Sequence, residues 1–174
     1  MKQIQTMKIE LINDHYQTIP EAFKKEEISK LVNLVLEKTG SESFENKQIN
    51  IKYASEEEIQ FLNEKFYKKK GITNVLAFTN HLKFPDEEAN LIGEIAICIK
   101  QIEREARVYK KAIETRLKHM IVHGVLHLLG FDHEEKKDQL EMEKLESDII
   151  SSCLGAVSYT HLRAHETGRN LVCR

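Results

Sequence analysis

Apolar and polar positions along the chain fall into two rhythms. Residues 3–12 (QIQTMKIELI) alternate and predict a strand, as do residues 48–54 (QINIKYA). Between them Phe23, Ile28, Leu31, Leu34 and Val35 recur at helical spacing, after Pro20 as a first-turn residue and before Gly40 as a stop. Ser55 with Glu58 forms a capping box that opens a helix through about Tyr67. A basic, Gly-containing connection follows at 68–74, then VLAF and LIGEIAICI as two more strands, separated by a polar loop through Pro85 and Asp86. Helices are predicted over 100–109, over 112–129, and from about His133 to Cys153. The mixture predicts an α+β domain: a small, mostly four-stranded mixed sheet covered by about five helices. One short strand is expected at an edge, with backbone groups open to a ligand.

The helix over 112–129 and the turn after it carry the chemistry. In HMIVHGVLHLLGFDHEE, residues 119–135, His123 and His127 stand four apart and share a helix face. Gly130 suits a left-handed cap, after which the chain can turn back and bring His133 from another direction. Three imidazoles with a fourth position left open are the donor set of a catalytic zinc site. One zinc per chain is expected; imidazole also suits other transition metals. His119, one turn earlier, is read as core or as support for a ligand rather than as a ligand. Asp132 has two readings, as the N-cap of the last helix with Glu135 and as a carboxylate that orients a histidine.

The spacing H-x3-H-x2-G-x2-H is also the ligand frame of one large group of zinc proteases, H-E-x-x-H-x-x-G-x-x-H. Here Gly124 stands where those enzymes place their general-base Glu, so the peptidase mechanism does not follow from the frame.

Composition narrows the setting. The chain has 174 residues, 41% hydrophobic and 31% charged, which suits one domain or one domain with an appendage. Three scattered cysteines, Cys98, Cys153 and Cys173, make poor disulfide material and fit a reducing compartment. No apolar run is long enough for a bilayer, and residues 1–11 lack the apolar core of an export signal. The net charge of -2 does not advertise nucleic-acid binding, although a local basic patch would serve. From about residue 155 periodicity is lost, and Arg163, Arg169 and Arg174 outnumber Glu166. Residues 155–174 are read as an artificial appendage, its His161 and His165 without function, and residues 1–154 as a single metallohydrolase domain.

HGVLHLLGFDH, residues 123–133, resembles the signature of the bacterial YbeY proteins, rRNA maturation factors described as single-strand endoribonucleases. LNEKFYKKKGITNVLAF, residues 62–78, is similar to that family's run of Leu-Asn, an aromatic, basic residues and Thr-Asp/Asn-Val-Leu-Ser-Phe. GEIAI, residues 93–97, resembles its Gly-Asp-Ile strand, with Glu94 for Asp. Where the family commonly has an Arg after the aromatic this chain has Tyr67, followed by Lys68, Lys69 and Lys70, which lack the bidentate fork of Arg. The resemblance implies a cytoplasmic metalloprotein with zinc on His123, His127 and His133, a basic cleft beside it, and a role in processing ribosomal RNA and in ribosome quality control. Its expected partners are single-stranded or ribosomal RNA and the small ribosomal subunit or its assembly factors, with no membrane.

For RNA contact the candidates are Tyr67, Lys68, Lys69, Lys70, Thr73 and Asn74. Phe66, Tyr67 and Phe78 are considered for base stacking, with core packing as the plainer role for a Phe or Tyr. Glu94 and Asp132 are the candidate general bases, and either water or the neighbouring 2′-OH could attack phosphorus. Two other functions stay open: another zinc-dependent hydrolase built on the peptidase frame, and a non-catalytic ribosome-assembly factor with a structural metal.

Overall fold

The structure is a computed structural model that describes residues 7–41, 44, 47–80, 90–131 and 135–154. The expected loop through Pro85 and Asp86, the positions Asp132 and His133, and the tail 155–174 lie outside the described residues.

The four strands are β1 (Lys8–Ile12), β2 (Gln48–Tyr53), β3 (Val75–Thr79) and β4 (Leu91–Ile97). The helices are α1 (Lys25–Thr39), α2 (Glu56–Tyr67), α3 (Ile99–Val108), α4 (Ile113–Leu128) and α5 (Lys136–Leu154). The sheet runs β1-β2-β4-β3, with β1, β2 and β4 parallel and β3 antiparallel to β4. This is the α+β, mixed-sheet architecture that the sequence pattern predicts.

Local chemistry explains most boundaries. The first helical segment does not run on from Pro20. A single 3-10 turn, Glu21–Phe23, comes first, and Lys24 then takes an extended conformation (ψ 154°) before α1 begins. Gly40, with φ 63°, ends α1 in the left-handed region and sends its N–H back to the carbonyls of Leu36 and Glu37. Ser55 Oγ accepts the N–H of Glu58 at 3.1 Å, the forward half of the capping box. The Glu58 carboxylate turns instead to Lys52 and His15.

The two faces of the sheet differ. Alternation in QINIKY sends Ile49, Ile51 and Tyr53 to one side, opposite Gly93, Ile95 and Ile97 of β4. This inner face joins a large apolar cluster with α1, α4 and α5. On the outer face a small cluster (Ala54, Ile59, Leu76, Ala96 and Cys98) lies under α2, with Leu62, Tyr67 and Phe78 packed against it.

α4 is apolar nearly all round, as suits a helix enclosed by neighbours. Leu117, Met120, Ile121, Val122, Val125 and Leu126 are fully buried on it. Such side chains contribute roughly 1.5–3 kcal/mol each relative to exposure. Two glycines let α4 lie close to the sheet. A Cβ on Gly124 would sit 3.1 Å from Ile95, and one on Gly93 would sit 2.3 Å from the Phe78 carbonyl oxygen and 2.7 Å from Leu128. The histidine-bearing end of α4 is thus seated over the junction of β4 and the edge strand β3.

Candidate metal centre

α4 ends by a Schellman turn. The N–H of Gly130 bonds the His127 carbonyl at 3.0 Å, and the N–H of Phe131 bonds that of Leu126 at 3.0 Å. Gly130 takes φ 93°, a conformation costly for any residue with a Cβ. The turn fixes the last helical rings beside the place where the chain reverses.

His123 is 1% exposed, and His127, one turn on, is only half-buried. Their Nε2 atoms stand 3.1 Å apart, and the rings meet edge to face with centroids 4.6 Å apart. Two imidazoles on a four-coordinate zinc at about 2.0–2.1 Å would hold their nitrogens about 3.3 Å apart. The spacing therefore fits a shared cation. The negative pole of α4 lies at this same end and favours one.

Behind His123 stands a carboxylate from a distant helix. Glu146 of α5 is 5% exposed; its Oε1 lies 2.6 Å from His123 Nδ1 and its Oε2 lies 2.9 Å from His119 Nε2. Burial pushes this carboxyl up, but the hydrogen bonds from both rings and the attraction to them more than reverse that and hold it down at about 2. A carboxylate on the far nitrogen of a ligand histidine is the usual support of a zinc site.

The polar chain continues inward. Arg116, 4% exposed, places Nη1 3.4 Å from His119 Nδ1, and its Nε and Nη2 bond Glu105 Oε2 at 2.9 and 2.8 Å. Asn74, at the head of β3, donates to both Glu105 oxygens at 3.2 and 3.0 Å. Glu105 and Arg116 balance one another. Glu146 is held by two imidazoles, one at each of its oxygens.

His133 and Asp132 lie outside the described residues, and among the described residues no group of three histidines, cysteines or carboxylates is placed to hold an ion. Glu94 is exposed on the outer face, where it accepts a hydrogen bond from Asn50 at 3.0 Å. Its neighbours Gly93 and Ile95 are the residues that meet α4. Strand alternation therefore turns Glu94 away from the histidines.

The segment considered for RNA contact divides. Thr73 and Asn74 are buried, and Asn74 is bound to Glu105. Tyr67 donates its hydroxyl to the Ala77 carbonyl and packs on Phe78 with centroids 5.7 Å apart. Lys68 caps α2 at φ 57° and points back to the Lys65 carbonyl. Lys70 is exposed and Lys69 partly so. Phe66, 55% exposed, lies edge-on to Phe78, and Lys65 sits over both Phe66 and the 59% exposed Phe61.

Sequence reasoning missed Glu146, Glu105 and Arg116. For Glu146 a signal exists: it falls four residues after Met142 and three before Ile149, inside the buried stripe of α5. A lone acid on such a stripe needs a buried partner.

A model of the protein family described as Endoribonuclease YbeY matches residues 11–154. The chain belongs to the YbeY family. Among its relatives, the endoribonuclease YbeY of Buchnera aphidicola is 43% identical over 102 residues, which are 59% of this chain and 64% of that protein. The endoribonuclease YbeY of Coxiella burnetii is 42% identical over 103 residues, 59% of this chain and 67% of its own. The matched part thus spans about two thirds of these relatives. The solution structure of TM1509 from Thermotoga maritima has a similar fold, with a TM-score of 0.51 and 28% identity over 82% of this chain and 87% of that one.

Proposed function

We propose that this YbeY-family chain is a metal-dependent single-strand endoribonuclease acting in rRNA maturation and ribosome quality control. The observation that carries the reading is the pair of Nε2 atoms 3.1 Å apart, on a helix whose His123 is backed by a buried carboxylate. His123 and His127 would hold the metal, with His133 completing the donor set. When bound, zinc or another transition metal supplies Lewis acidity toward a phosphoryl oxygen and water. The chain's own part is to aim the ring nitrogens, keep bulk water from His123, and bring the phosphate backbone near. On the outer face of the sheet Lys65 over the exposed Phe66 ring, with Lys69 and Lys70 shortly after in the chain, suits a hold on the RNA strand at a distance from the metal, lysine for phosphate and the ring for a base.

The peptidase alternative is opposed by Gly124. It carries no carboxylate, and a side chain there would run into Ile95 rather than toward the histidines. We further infer one catalytic domain through residue 154, a cytoplasmic site of action, and the small ribosomal subunit or its assembly factors as partners. No helix among the described residues is long and apolar enough to cross a membrane.

The test is incubation with single-stranded RNA and with casein, each with and without chelator. Chelator-sensitive RNA cleavage that His123→Ala abolishes is expected. Chelator-sensitive proteolysis would sink the reading. No cleavage of either substrate, with a large loss of melting temperature on chelation, would leave the metal a structural role. A 2′,3′-cyclic phosphate end on the product marks attack by the neighbouring 2′-OH, and its absence marks attack by water.

A further inference from the structure

We propose that Glu146, anchored through His119 by Arg116, fixes the ring proton of His123 on Nδ1 and so turns its Nε2 lone pair toward His127. Glu146 is then a positioning residue for the metal site, and His119 belongs to its support rather than to the ligands. The use of this lone pair rests on reading His123 and His127 as ligands, whereas the tautomer itself does not.

A guanidinium donates and cannot accept. The contact from Arg116 Nη1 to His119 Nδ1, 3.4 Å, therefore makes Nδ1 the accepting nitrogen of that ring. A neutral His119 must then carry its proton on Nε2, which donates to Glu146 Oε2 at 2.9 Å. An ionised carboxylate only accepts. Its other oxygen, 2.6 Å from His123 Nδ1, therefore calls for a proton on that nitrogen. In neutral His123 the remaining nitrogen, Nε2, carries no proton, and it is the atom that faces His127. The 3.1 Å contact between the two rings then calls for a proton on His127 Nε2.

Arg116 is itself held rather than free to swing. Glu105 engages its Nε and Nη2, and Asn74 braces Glu105 from the head of β3. The far end of the relay is thus fixed by three elements, β3, α3 and α4, and the near end by α5. Were Glu146 present merely to close α5 onto α4, the direction of protonation along this relay would have no consequence for the nitrogen facing His127.

Long-range 1H–15N correlation spectra of the metal-free wild-type protein at neutral pH read each tautomer without any substitution. Expected are an Nε2–H form for His119, an Nδ1–H form for His123 and an Nε2–H form for His127. Added zinc should move His127 to Nδ1–H and leave His123 unchanged. An Nε2–H form of His123, or one averaged between tautomers as in free imidazole, overturns the proposal. Zinc competition against a chromophoric chelator gives a second readout. Glu146→Gln, whose amide can accept from one ring only, should weaken zinc about ten- to a hundredfold with its far-UV circular dichroism retained. A folded Glu146→Gln protein that binds zinc as tightly as wild type also overturns it. Tautomers as expected, with no zinc uptake by the wild type, support the hydrogen-bond relay and overturn the ligand reading instead.

Discussion

The inner and outer faces of the sheet treat polar side chains in opposite ways. Under α4 and α5 every group in the run from Asn74 through Glu105, Arg116, His119 and Glu146 to His123 is held by another across two or more elements. Over α2 the charges and rings stand at the surface: Phe61, Phe66 and Lys70 are exposed, and Lys65 rests on two rings. The first arrangement suits a site that must present fixed lone pairs, because buried polar groups are strong when satisfied and costly when not. The second suits a long, variable polymer, since phosphate contacts and base stacking tolerate change of sequence. One face can thus be rigid while the other adapts, and each can be broken separately.

The largest expected effect comes from stranding a buried charge on the inner face. Arg116→Met leaves Glu105, its side chain 13% exposed, without its cation. Loss of one partner of a buried pair costs roughly 3–5 kcal/mol. The double variant Arg116→Met/Glu105→Gln should recover much of that loss in urea denaturation, because it removes the stranded charge and keeps an amide oxygen for Asn74. Equal losses in the single and double variants would show that the pair's own attraction, rather than stranded charge, governs this region.

The outer face should respond in binding rather than in folding. Phe66→Ala is expected to change stability by no more than about 0.5 kcal/mol, as is usual at an exposed position. It should weaken single-stranded RNA by about 1–3 kcal/mol, the worth of one stacked base. Tyr67→Phe should do the reverse, losing about 1 kcal/mol of stability with the Ala77 hydrogen bond and leaving RNA affinity in place. Filter binding at fixed salt and thermal melting separate the two. If Tyr67→Phe weakened RNA and Phe66→Ala did not, the division between neighbouring rings would be reversed.

How far the sequence foretold this depends on how local each cause is. Gly40 and Ser55 act within one turn of chain, and both do in the fold what their residue types suggest. The spacing of His123 and His127 is likewise a property of one helix. Glu94 shows the limit. Alternation in GEIAI puts it opposite Gly93 and Ile95, but nothing in the strand says which face α4 will cover. Glu146 is separated from His123 by 23 residues, and the pairing depends on how α5 packs across α4. Asn74 looked available for phosphate because the turn before it is basic and polar, whereas its amide is taken up by Glu105 on α3. Contacts made by packing two elements leave their mark in sequence only as an oddity, such as an acid on an apolar stripe.

The smallest effect belongs to a partly exposed cluster at the start of α2, and pH reveals it. Partial burial pushes the Glu58 carboxyl up, but hydrogen bonds from Lys52 and His15 outweigh that and leave it below its ordinary value. A depressed folded-state value means that protons bind the unfolded chain more readily. The stabilisation is therefore complete above the ordinary carboxylate range and is lost as pH falls through and below it. Glu58 and Lys52 are 27% and 34% exposed, so screening keeps the contribution near the 0.2–1 kcal/mol of surface pairs. Glu58→Gln should lower stability by about that amount at pH 7, and the difference from wild type should vanish in acid. Urea melts of both proteins across that range would decide it. A gap that persisted unchanged in acid would mean that Glu58 acts by packing at the head of α2, and not by its charge.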